Sequence, residues 1–260
     1  MEIKTAEPIA YKYREIIFVS SVFFVGLLFL YARYVLLQRM WITDHITRWI
    51  FAGILTLFII IWRILIAFLN EPQKLPDVYF PGLANYLTIF RGLLICELAG
   101  FIFLIPPEGR LGWIPGSLYI AVLMIDCLDG YVARLRSETS IFGEFLDRDF
   151  DALGTLIGVI LAAHYAKVPD WYVIVGVAYY VFTSGGWLRK KTGRPLYPLP
   201  TSRYRRYISV LQSVFIATAI LPLPRFPEVK LLAILLMVLI LASFLRDWRL
   251  IIGYHRPALS

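Results

Sequence analysis

Residues 117–151 read SLYIAVLMIDCLDGYVARLRSETSIFGEFLDRDFD. An apolar run enters this stretch, and five aspartates lie between 126 and its end. A helix that spans a bilayer needs about 20 mostly apolar residues. The run 117–135 is one of eight candidates along the chain. The others are 16–37, 50–69, 86–105, 151–166, 171–188, 207–223 and 229–245. The 260 residues are 59% hydrophobic and 17% charged, with a mean hydropathy of +0.70. A soluble domain of this length would cover its core with roughly a quarter charged residues, and this chain lacks that surface. The expected fold is an all-α integral membrane protein of about eight transmembrane helices. Tryptophans and tyrosines gather at many span ends, as in an interfacial belt.

Several classes are excluded early. Cys96 and Cys127 cannot form a disulfide framework, and both sit in apolar runs. There is no CxxC, HExxH, Walker A loop or GxGxxG. The run 16–37 is longer than a signal-peptide core and lacks a small-residue cleavage site, so it is expected to remain.

Charge placement orients the spans. With the N-terminus inside, the inner segments hold Lys4, Lys12, Arg14, Arg134, Arg136, Arg148 and the basic residues of 189–206. Few basic residues, among them Arg39, Arg48, Arg110 and Lys167, fall outside. Positive residues mark the cytoplasmic side, so both termini are expected there. The basic stretch 189–206 suits anionic lipid or an anionic substrate equally. Nucleic acid is not expected, because these charges lie against the bilayer.

The chain has nine aspartates, and five lie between 126 and 151. Carboxylates at membrane depth need a counter-charge. On a helix, Asp126 and Asp129 share a face, and Gly143, Asp147 and Asp151 form a second stripe at four-residue steps. Asp149 points away from that stripe. The polar residues 136–140 suit a short inner turn, so the two stripes can face each other across a hairpin. Four converging carboxylates make a hard oxygen site that favours Mg²⁺, Mn²⁺ or Ca²⁺ over zinc. Four negative charges exceed the need of one ion, so two are expected, an arrangement suited to phosphoryl transfer. Gly130, Ala133 and Gly143 remove bulk beside these carboxylates. Gly154 and Gly158 read instead as helix packing.

Asp126, Asp129, Gly130, Ala133, Arg134, Gly143, Asp147 and Asp151 fill all eight fixed positions of D-x2-D-G-x2-A-R-x8-G-x3-D-x3-D. This resembles the signature of the CDP-alcohol phosphotransferases, and eight fixed positions are far more specific than a lone glycine fingerprint. Upstream, Asn85, Thr88 and Arg91 look like the N-x2-T-x2-R often found on the first helix of that family's domain. The resemblance implies a six-helix domain over 80–250, with residues 1–79 as a two-helix membrane extension and 251–260 as a cytoplasmic tail. It implies transfer of a phosphoalcohol group from a CDP-linked donor, foremost CDP-diacylglycerol, to an alcohol acceptor with release of CMP, within phospholipid synthesis. Asp126, Asp129, Asp147 and Asp151 would bind two Mg²⁺ or Mn²⁺ ions, and Asp151 would be the general base. Asn85, Thr88, Arg91, Gly130, Ala133, Arg134 and Gly143 would hold the donor. A homodimer in a prokaryotic inner membrane, with its site on the cytoplasmic side, is expected.

The acceptor is not legible. Arg203, Arg205 and Arg206 are the candidates for an anionic acceptor. Asp151 is followed by Ala152, not by the lysine of many phosphatidylglycerolphosphate synthases. A CDP-choline or CDP-ethanolamine donor acting on diacylglycerol stays open. So does a cation-conducting protein, although beyond Asp151 the fifth span offers only Thr155. Arg63 and Glu97 read as an intramembrane brace, and Cys127 as packing.

Overall fold

A computed structural model describes residues 26, 43–70, 83–107, 109–136, 141–200, 202–223 and 228–253. Among them there is no strand. Seven α-helices carry the described chain: α1 (Thr43–Asn70), α2 (Leu83–Gly100), α3 (Trp113–Arg136), α4 (Ile141–His164), α5 (Ile174–Lys191), α6 (Arg203–Ile220) and α7 (Glu228–Ile251). Short 3-10 turns occupy Phe101–Phe103, Gly109–Gly112 and Asp170–Val173. The expected run 16–37 lies outside the described residues except for Gly26, which is helical. The inner turn at 137–140 lies outside them as well.

Helix ends follow local chemistry. Pro115 falls in the first turn of α3, where the backbone N–H has no intrahelical partner to lose. The chain leaves α5 through Gly193 at φ +71°, whose N–H donates to the Lys190 carbonyl at 3.1 Å. That left-handed conformation suits glycine after a helix. One boundary differs from expectation. The fifth span looked short because charges at 144–151 interrupt its apolar run, yet α4 begins at Ile141 and has 24 residues. Charged residues at an aqueous helix end shorten the apolar run without ending the helix.

Among the described residues, three helical stretches are long and apolar enough to cross a membrane: Tyr86–Phe103, Gly109–Arg136 and Glu228–Ile251. On α7 the buried residues Ala233, Leu236, Ile240 and Asp247 mark one stripe, whereas Leu231, Leu235, Val238 and Leu245 are exposed. A helix apolar on its outer face as well as its inner one belongs in lipid. This is a membrane protein.

The chain divides into two compact units. The first comprises residues 1–104 and 124–147, in which α1 packs along α2. Its core includes Leu57, Ile60, Leu93, Ile95 and Leu98. The second comprises residues 105–123 and 148–260, in which α7 packs on α5 and α6. Here a Cβ added at Gly158 would stand 2.5 Å from Tyr119 Cε2 and 2.7 Å from Ile216 Cγ2. Gly158 therefore serves close packing, as its spacing suggested.

Candidate active site

The site grows from three helix segments of the first unit. On α2, Thr88 and Arg91 lie three residues apart and so share a face. On α3, Asp126 and Asp129 do the same. Asp147 comes from α4. One carboxylate oxygen from each of Asp126, Asp129 and Asp147 lies within 4.8 Å of the other two.

Arg91 sits among them with its side chain 1% exposed. Its Nη2 donates to Asp147 Oδ1 at 2.8 Å and to the Asp147 carbonyl at 3.2 Å. Its Nη1 pairs with Asp126 Oδ1 and lies 4.0 Å from Asp129 Oδ2. The Thr88 hydroxyl lies 3.0 Å from Asp129 Oδ2 and 3.1 Å from the Ala84 carbonyl, so its one proton can serve either acceptor. Asp129 is thereby the most enclosed of the three carboxylates, at 5% side-chain exposure, while Asp126 is at 34% and Asp147 at 49%. The cluster has a buried floor and an open rim.

Three carboxylates and one guanidinium leave a formal surplus of two negative charges. Hard oxygen donors in surplus, with no sulfur or imidazole in the group, fit a hard divalent cation. The residues present therefore suit Mg²⁺ or Mn²⁺.

The remaining expected donor residues are placed as follows. Asn85 lies on α2 one turn before Thr88, and its side chain is outside the described set. Among the described residues, a Cβ added at Gly130 would meet the Arg134 guanidinium, 3.4 Å from Nη1, and no other side chain within 4 Å. Arg134 itself is exposed and Ala133 half-buried. Gly143 lies on the first turn of α4. Asp151 is exposed in the second unit, one helical turn beyond Asp147 along α4. Cys127 is exposed, which corrects the packing reading, whereas Cys96 is buried. Glu97 is buried and the Arg63 side chain lies outside the described residues, so their proposed brace does too.

In the second unit the three acceptor candidates separate. Arg205 Nη1 donates to Asp247 Oδ2 at 3.2 Å, and its Nη2 donates to the Pro200 carbonyl at 2.5 Å. This guanidinium is committed to holding the start of α6 against the end of α7. Arg206 is exposed, and the Arg203 side chain is outside the described set. Asp247 escaped sequence reading. Its signal was the one aspartate of α7, set between Arg246 and Arg249 at the end of the helix's apolar run.

A helical membrane protein with a carboxylate cluster that could hold a hard divalent cation fits a class of membrane enzyme that handles phosphate. The sequence pattern of the CDP-alcohol phosphatidyltransferase family matches residues 82–250, and the chain belongs to this family. A relative from Cereibacter sphaeroides, a CDP-diacylglycerol–glycerol-3-phosphate 3-phosphatidyltransferase, is 29% identical over 139 residues, 52% of this chain and 62% of the relative. One of the same name from Wigglesworthia glossinidia brevipalpis is 33% identical over 79 residues, 30% of this chain and 42% of the relative. The chain thus spans less than two thirds of each of these relatives.

Proposed function

We propose that the protein transfers the phosphatidyl group of CDP-diacylglycerol to a small phosphorylated alcohol, with glycerol 3-phosphate the first choice, and releases CMP. The observation that carries this reading is the convergence of Asp126, Asp129 and Asp147 around Arg91. Family membership supports the reaction class, and the names of the two relatives support the acceptor. Ala152 in place of the lysine of many phosphatidylglycerolphosphate synthases speaks for testing other acceptors alongside.

Asp126, Asp129, Asp147 and Asp151 would hold two Mg²⁺ or Mn²⁺ ions, which supply positive charge to the donor pyrophosphate and to the departing CMP. Arg91 and Arg134 bind donor phosphate oxygens. Gly130, Ala133 and Gly143 leave room for the nucleotide, bounded by Asn85 and Thr88. The acceptor oxygen attacks the lipid-side phosphorus, and the bond from that phosphorus to the CMP oxygen breaks. Asp151 takes the proton of the attacking hydroxyl. Arg206, with Arg203, draws in the acceptor phosphate. We place eight passes through a prokaryotic inner membrane, both termini and the site on the cytoplasmic face, and the family domain over 80–250 behind a two-helix extension. A homodimer rests on the family resemblance alone.

The test is CMP release by the full chain in mixed micelles, with CDP-diacylglycerol and a panel of acceptors, in Mn²⁺ or Mg²⁺ and again in EDTA. Turnover with glycerol 3-phosphate that disappears in EDTA is expected. CMP formed only from CDP-choline and diacylglycerol would overturn the donor assignment. Full turnover in EDTA would overturn the cation site.

A further inference from the structure

We infer that Arg91 is a resident cation that competes with the divalent ion for the same carboxylates, so that metal loading is an exchange in which the guanidinium must give way. The inference rests on the cation site of the proposed function and goes beyond it.

The argument begins from burial. An arginine side chain 1% exposed has left water, and it stays buried because Asp126, Asp129 and Asp147 surround it. Arginine cannot shed its charge at any working pH. A buried lysine could yield to a metal by losing a proton, but Arg91 can yield only by moving. Two of its nitrogens are engaged with these carboxylates, Nη1 with Asp126 and Nη2 with Asp147 Oδ1. The same three residues present the oxygens that converge within 4.8 Å. A divalent ion drawing on those oxygens would stand within a few ångströms of a fixed positive charge, and the repulsion is strong in a buried setting.

The exchange gives the site an order of events. A guanidinium displaced from carboxylates is buried and needs a new anion, and a donor phosphate oxygen is the anion the proposed reaction brings. Donor and divalent ion then assist each other, because each removes the cost the other faces. With no donor present, Arg91 holds the carboxylates together and keeps the affinity for the metal low.

The test uses Mn²⁺ alone, with no nucleotide, and reads binding by electron paramagnetic resonance on the full-length protein in detergent. Arg91→Gln removes the charge and is expected to bind Mn²⁺ about tenfold tighter than the wild type, or more. Arg91→Lys keeps a charge but lacks the two-nitrogen fork, and is expected to fall between the two. The thermal midpoint in EDTA should drop for Arg91→Gln and recover on adding Mn²⁺. If Arg91→Gln does not fold, a rise in Mn²⁺ affinity for Arg91→Lys supports the exchange, and an unchanged or weaker affinity overturns it. Wild-type binding of Mn²⁺ that is not tightened by either substitution sinks the exchange and leaves the cation site standing. Absence of Mn²⁺ binding in all three proteins overturns the cation site and the exchange together.

Discussion

Two arginines in this protein meet aspartates of neighbouring helices, and the two meetings are built differently. Arg91 faces three carboxylates, one positive charge against three negative ones. Arg205 faces one, Asp247, and spends its other arm on a main-chain carbonyl. The second arrangement is balanced: one charge of each sign, with a main-chain carbonyl on the other arm. The first carries more negative than positive charge among the groups named, the condition in which an added cation would find partners. Burial of charged groups therefore does not by itself separate a functional site from a structural brace. The charge balance helps to, because carboxylates gathered at membrane depth are costly unless positive charge meets them.

The comparison predicts where activity and stability part. The largest effects fall on the surplus carboxylates. Asp126→Asn should reduce CMP release about a hundredfold or more, since even outer-shell partners of a metal cost 10- to 100-fold. Asp151→Asn should cost about 10²–10⁴ if that residue is the base, while Asp149→Asn keeps most turnover. Equal loss at 149 and 151 would mean that the stripe along α4 does not set the chemistry. Initial-rate assays decide both.

The balanced pair should answer in stability instead. Asp247→Asn or Arg205→Met is expected to destabilise by about 1–3 kcal/mol, because each leaves a charged group short of its partner. The two changes together should cost less than their sum in thermal unfolding with detergent. Mn²⁺ affinity should not move in any of them. If it does, the brace and the cluster are not separate devices.

Two glycines sharpen the same contrast. Gly158→Ala forces a methyl against Tyr119 and Ile216 and should cost about 1–3 kcal/mol of stability. Gly130→Ala meets only a flexible guanidinium, so its unfolding midpoint should stay put while the donor KM rises. The smallest effect is expected at the exposed Arg206. Arg206→Gln should raise the acceptor KM about two- to fivefold, with the donor KM unchanged. A matching change in both would make this arginine a general surface charge.

What could be read from the sequence was what a helix makes local. Asp126 with Asp129, and Asp147 with Asp151, are pairs whose shared face follows from three- and four-residue spacing. The apolar runs marked most of the helices for the same reason. Contacts across helices were harder to read. Asp247 lies 42 residues from Arg205, and no periodicity joins them. Arg205 therefore looked like one more member of a basic stretch rather than a side chain already committed. Arg91 was legible as a site residue through its resemblance to the family's upstream pattern. Its position among the three carboxylates was not, because that depends on where α2 lies against α3 and α4. The apolar run from 151 marked only the later part of α4, whose first turns were legible instead from the four-residue stripe of Gly143, Asp147 and Asp151.

Cys127 adjoins Asp126 and is exposed, and the sequence's other cysteine, Cys96, is buried. A nitroxide reagent offered to the native protein would therefore attach at one place, a residue away from a carboxylate of the cluster. A paramagnetic ion arriving at Asp126 would broaden that label's spectrum at once. The protein thus carries its own reporter for the moment of loading, with no cysteine to be added or taken away.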